Sequence, residues 1–208
     1  MGTKFMSEYL RVIELNGSAT PKAIRPLDDI SALTQLRGLK DVTPFDELDA
    51  YFSAIDGYDQ YVCDELDLFE PTLAWDLSVL SLEQAVSHYN ETAPLGSENP
   101  DYWPYGFLPV LWDLSGSYLL VNCVKSSPFY GGVYDMTEGV GCNRVSSSLS
   151  EFFAASAKEV EAGLRRYDKG ESTLCVEWED YLKLAAPIFS HAPFFVRTRM
   201  DAQIVDWK

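Results

Sequence analysis

Four short apolar segments, GFLPVLWD, SYLLVNCVK, GGVYDM and CNRVSS, follow one another from Gly106 to Ser147, with turn residues between them. Each is too short for a helix and bounded by Gly or Ser, so the run reads as strands. Leu114-Ser115-Gly116-Ser117 closes the first two as a tight hairpin, and the rest continues as an antiparallel meander. Pro109 has no N–H, so it must sit at a strand start or an edge. The stretch from Trp103 to Cys123 is therefore the scaffold of a sheet.

Helical patterns flank the sheet. Ser148 opens SLSEFFAASAKEVEAGLRRY, with Ser148 and Glu151 in a capping-box pattern. Leu149, Phe152, Phe153, Ala157, Val160, Leu164 and Tyr167 make its apolar stripe, and Arg165 and Arg166 are expected in its last turn, where cations suit the dipole. Upstream, Leu27, Ile30, Leu33 and Leu36 recur near helical spacing up to Gly38. TPFDELDAYFSAIDG predicts a helix with Thr43 as N-cap, Pro44 in the first turn and Gly57 as C-cap. SLEQAVSHY predicts another, with Ser81 and Gln84 as a capping box. YDQYVCDELDLFEPTLAW reads as an acidic loop with a short strand near Leu73 to Trp75. NETAPLGSENPDY reads as a polar connection. MSEYLRVIEL suits a helix or a strand equally. WEDYLKLAA looks helical as far as Pro187, and FFVRTRMDAQIVDW suits a strand or a packed tail. The expected class is α+β: a twisted antiparallel sheet of about four to six strands with helices packed on it. The 208 residues suit one domain, 1–208.

Charge narrows the function. The chain carries 32 Asp and Glu against 16 Lys and Arg, a formal net charge of -16. After Lys40 the next basic residue is Lys125. The excess lies wholly between them, on Asp41, Asp46, Glu47, Asp49, Asp56, Asp59, Asp64, Glu65, Asp67, Glu70, Asp76, Glu83, Glu91, Glu98, Asp101 and Asp113. Such a field repels nucleic acid and anionic lipid, and it accelerates association with a basic protein by about 10- to 1000-fold at low salt. A solubility surface is the plainer alternative. No apolar run is long enough to span a membrane, and MGTKFMSEYL lacks the apolar run of a secretory leader; Met6 is a second candidate start. Cys63, Cys123, Cys142 and Cys175 are irregularly spaced and are expected as reduced thiols in a cytoplasmic protein.

Catalytic signatures are sparse. Two histidines, His88 and His191, and four scattered cysteines make no zinc pattern. The sequence has no nucleophile elbow and no Gly-rich phosphate loop, and Gly131-Gly132 precedes a strand rather than a helix. Asp56-x-x-Asp59 and Asp64-Glu65-x-Asp67 resemble cation ligands only as any acidic loop does, without EF-hand spacing. No cofactor and no metal are expected.

Five features in order resemble the SUKH superfamily: YFSAIDGYD, LFEPTLAWDLSVLSLEQAVSHY, YGFLPVLWDLSGSYLLVNC, GGVYDM and SSSLSEFFAASAKEV. The resemblance spans residues 27–167. It sets 1–26 and 168–208 apart as N- and C-terminal extensions, and its turn at Asp113 to Ser117 is poorer in Gly and Asp than the family's. Bacterial members of that superfamily neutralise toxins, many of them nucleases or deaminases, by covering the toxin's active site. The resemblance therefore implies a cytoplasmic immunity protein of a polymorphic toxin system, whose partner is a cognate basic toxin. A regulatory or scaffold module of the same fold is the alternative, followed by a small-ligand binder or enzyme.

The expected contact surface is acidic and aromatic and lies next to the Gly57 loop. Its candidates are Asp56, Tyr58, Asp59, Asp64, Glu65, Asp67, Glu70, Asp101, Trp103 and Tyr105. Tyr102, Trp103, Tyr105 and Phe107 suit core packing as well as they suit interface anchors.

Overall fold

The computed structural model describes residues 4–98, 102–137 and 141–189. Six strands run in chain order across one antiparallel sheet: β1 (Thr72–Ala74), β2 (Leu77–Val79), β3 (Phe107–Trp112), β4 (Ser117–Asn122), β5 (Val133–Thr137) and β6 (Gly141–Ser146). The meander expected from the four apolar segments is β3 to β6. In the β3–β4 turn the Asp113 carboxylate accepts from the N–H groups of Ser115 and Ser117, both at 2.8 Å. Pro109 is opposite Leu120 of β4, where the register shifts before Leu111, and β2 pairs only with Leu111 and Trp112. Its missing N–H thus falls at a bulge beyond the reach of β2.

Alternation along β4 sorts side chains to two faces. Leu119 and Val121 join the main core, while Tyr118 and Leu120 join a second cluster with Trp103, Phe107, Tyr134, Met136 and Cys142. Both faces are covered, which is why these strands read as nearly continuous apolar runs.

The helix α1 (Lys4–Leu15) lies on α7 (Leu149–Glu161) and contributes Met6, Tyr9, Val12 and Ile13 to the main core. The segment preceding residue 27 is thus part of the packed core. Tyr9 donates to the Leu73 carbonyl at 2.6 Å, and Tyr167 donates to the same oxygen at 2.8 Å, which ties both termini of the core to β1. A short α2 (Thr20–Ala23), a 3-10 turn (Ile30–Leu33) and α3 (Thr34–Gly38) lead to α4 (Asp46–Ala54). The N-cap of α4 is Phe45, with no side-chain cap, rather than Thr43; the acidic first turn, Asp46, Glu47 and Asp49, favours the helix start instead. Its C-cap is Ile55. Gly57 stands two residues beyond with a left-handed φ of 77°, and a Cβ there would come within 3.2 Å of Ser81 Cβ.

The acidic stretch expected as loop contains a helix, α5 (Gln60–Leu66), capped by Asp59, whose carboxylate accepts from Tyr61 N–H at 2.9 Å and Val62 N–H at 3.2 Å. The helix starting at Leu82 runs on as α6 (Leu82–Glu98), through Pro94, where a polar connection was expected. Its capping box is as read: Ser81 N–H donates to Gln84 Oε1 at 2.8 Å and Gln84 N–H to Ser81 Oγ at 3.1 Å. At Gly96 the helix touches the chain so closely that a Cβ would lie 2.2 Å from the Trp103 carbonyl oxygen.

At α7, Ser148 Oγ accepts from Glu151 N–H at 3.1 Å, while the Glu151 carboxylate turns to Ser146 and Ser147. The helix ends earlier than expected. Gly163, at φ 71°, breaks it, and Arg165 and Arg166 belong to β7 (Arg165–Asp168), paired with β8 (Glu171–Leu174). Arg165 is therefore not a last-turn cation; it is buried against Glu159. The last described helix is α8 (Trp178–Ala185), as WEDYLKLAA suggested, and the segment FFVRTRMDAQIVDW lies outside the described residues. All four cysteines are thiols, and three of them are buried. Among the described residues no helix is long and apolar enough to cross a membrane.

Candidate functional site

The acidic candidates gather around α5 and the tip of the β7–β8 hairpin. That tip docks on the loop after α5: Thr72 N–H donates to the Gly170 carbonyl at 3.0 Å, and Lys169 Nζ meets Asp67 Oδ2 at 2.8 Å. Asp67 ends α5 in a left-handed conformation, φ 57°, which throws its carboxylate outward. Together Asp67, Leu68, Phe69, Glu70, Asp168, Lys169, Gly170 and Glu171 line a shallow groove of about 300 Å³.

Two large rings of this segment are exposed: Phe69, which lines the groove, at 89%, and Tyr61, in the first turn of α5, at 70%. Asp67, Glu70, Asp168 and Glu171 line the groove with Phe69, and Asp64 and Glu65 are exposed on α5. Only Lys169 opposes this charge within the groove lining. It is engaged by Asp67, whose carboxyl it holds below the usual range, while its own pKa rises in turn. The field reaches inward. Burial raises Tyr58, with the Cys63 thiol and Glu70 adding to it. Burial also raises Cys63, assisted by Asp64 and Asp59.

Two candidates nearby have structural roles. Asp56 Oδ1 accepts from Leu82 N–H at 2.8 Å and so anchors the start of α6, and Asp59 caps α5. Tyr58 pairs with Ile24 in an isolated bridge and is half-buried. Asp64 is exposed and accepts from Gln60 at 2.9 Å.

The candidates further along the chain do not join this surface. Trp103 is fully buried in the second core cluster, its indole N–H donating to the Phe107 carbonyl at 3.0 Å and its ring edge-on to Tyr118. It is a core residue and presents nothing to a partner. Asp101 lies outside the described residues. Tyr105 is 60% exposed but lies against Tyr89, Asn90, Ala93 and Pro94 of α6, whereas Asp56 sits at Leu82. Seven to twelve helical residues separate them, about 10–18 Å at 1.5 Å per residue. The acidic and aromatic candidates thus form two patches, one around α5 and one around Tyr105.

Sequence reasoning missed Phe69, Asp168, Lys169 and Glu171. Phe69 carried a signal, an aromatic between carboxylates that fits no apolar stripe. The hairpin residues carried none, because a hundred residues separate Lys169 from Asp67. Among the described residues no three His, Cys, Asp or Glu side chains are grouped to hold a metal ion. No family model matches the chain, and no curated protein matches it in sequence.

Proposed function

We propose that this protein binds a basic protein partner through the α5 surface, and that the partner is a bacterial toxin whose active site it covers in the cytoplasm. One observation carries the binding reading. Phe69 and Tyr61 stand out from the surface amid carboxylates, in a chain whose whole net charge of -16 comes from residues 41–124. Aromatic anchors ringed by polar groups carry most of the energy at protein interfaces. The carboxylates choose the partner's sign and steer its approach. A nuclease-like toxin is basic because its substrate is a polyanion, so an acidic inhibitor competes for the same field. The identity of the partner as a toxin rests on the sequence's resemblance to the SUKH superfamily.

The test is co-expression with the most basic neighbouring gene product. The proposal expects that product to arrest growth alone, and this protein to restore growth. Rescue should be lost in a Tyr61→Ala/Phe69→Ala variant that still folds. A partner bound without toxicity would leave the regulatory or scaffold reading, with the same surface in a different role.

A further inference from the structure

The Tyr105 patch is a pocket, and its chemistry is specific. Lys40, Asp41, Tyr89, Asn90, Ala93, Pro94 and Tyr105 line a volume of about 280 Å³. Ala93 and Pro94 form an apolar wall on α6. Tyr89 is fixed at the back, its hydroxyl donating to the Lys40 carbonyl at 2.7 Å, with the Gly106 N–H also close to it. Pro94 offers no N–H to the Asn90 carbonyl, so this turn of α6 lacks the donor a helix normally supplies. Asp41 is held in a left-handed conformation, φ 67°, by a turn pressed against Gly106, where a Cβ would lie 2.8 Å from the Asp41 carbonyl oxygen. Tyr105 and Asp41 line the same pocket, and the nearby Asp41 carboxylate, chiefly as a hydrogen-bond acceptor, raises the Tyr105 phenol above its ordinary pKa. The pocket therefore presents an exposed Tyr105 ring and the Asp41 carboxylate together.

We infer that this pocket receives an arginine side chain of the partner, its guanidinium on the Asp41 carboxylate and over the Tyr105 ring, its methylenes against Ala93 and Pro94. A planar cation suits a ring face and a carboxylate at once, which neither a neutral amide nor an anion does. Lys40 is the internal competitor. Its ammonium is 3.9 Å from Asp41 Oδ2 on a side chain that is 91% exposed, a loose surface pair that an incoming guanidinium exchanges readily. The inference rests on the reading that the partner is a basic protein, and it supplies a second anchor at the far end of α6 from Asp56.

The experiment uses the full chain and small probes, N-acetyl-arginine amide and its neutral isostere N-acetyl-citrulline amide, titrated into 15N-labelled protein. The arginine probe is expected to shift the amides of Asp41, Tyr89–Ala93 and Tyr105 in a saturable way. The citrulline probe should bind about tenfold more weakly or worse, the loss expected when a charged hydrogen bond is removed. Asp41→Asn is expected to weaken the arginine probe by a similar factor, and Lys40→Met to tighten it. Tyr61→Ala should change nothing here. Equal shifts from both probes, or arginine-induced shifts spread evenly over the exposed carboxylates of α4, α5 and α6, would overturn the inference. A pocket that takes arginine while no basic partner exists counts against the binding function alone. A partner that binds tightly yet leaves Asp41→Asn unaffected counts against the pocket alone.

Discussion

Arg165 Nε lies 3.4 Å from Glu159 Oε1 with both side chains buried, and Arg165 Nη1 reaches Asp76 at 3.0 Å and Ser172 at 2.8 Å. This cluster fastens the β7–β8 hairpin to α7 and to the β1–β2 turn, and so positions the hairpin tip that completes the acidic groove. Removing one member leaves an uncompensated buried charge. Arg165→Met alone is expected to cost about 3–5 kcal/mol in urea unfolding, and the double change Arg165→Met/Glu159→Leu to recover most of that. Equal loss in the single and double variants would show that the pair is not the fastening.

Trp103 and Phe69 are opposites, and their alanine variants should separate stability from binding. Trp103 fills the second core cluster, so Trp103→Ala is expected to cost about 3–5 kcal/mol. Phe69 is exposed, so Phe69→Ala should change stability by less than about 0.5 kcal/mol while weakening partner binding at least tenfold. Thermal melts and titration calorimetry on the two variants read both quantities. A Phe69→Ala protein that binds normally would remove the α5 surface from the account.

His88 gives a pH signature of the α6–sheet contact. Its ring packs edge-on against Trp112 at 4.6 Å and Tyr118 at 5.9 Å, and burial lowers its pKa below 6.5 while Glu91 opposes the shift. The folded protein therefore favours the neutral ring more than the unfolded chain does. The stability this contributes is complete above pH about 6.5 and is lost as pH falls through the lower folded value. An NMR titration of the His88 ring should give a midpoint below 6.5; one above it would contradict the packing.

How much of this was legible in the sequence depended on where the determining contacts lie. The β3–β6 meander and the caps at Ser81 and Ser148 are local devices, and they are where the patterns put them. α5 was invisible because its only buried residue is Cys63, so no apolar stripe marks it. α6 ran through Pro94 and Gly96 because its far half packs on Trp103, a tertiary contact that overrides two helix breakers. Arg165 and Arg166 look like a helix terminus because the apolar period continues to Leu164 and Tyr167, although Gly163, at φ 71°, ends the helix before them. In the candidate site, the sequence points to the acidic residues of α5 through their charge, the neighbouring aromatics and the Gly57 loop. The site's completion by Asp168, Lys169 and Glu171 depends on a hairpin docking from a hundred residues away.

The most direct test of the central claim is a pull-down of the tagged protein from its native lysate, wild type beside the Tyr61→Ala/Phe69→Ala variant, washed at low salt and at about 0.3 M, where the Debye length falls to about 6 Å. The expected result is one basic protein, stoichiometric with the wild type, retained at high salt and lost from the variant. A scatter of basic proteins that washes off at high salt and binds both forms alike would mean that the acidic surface attracts cations without selecting a partner, and would contradict it.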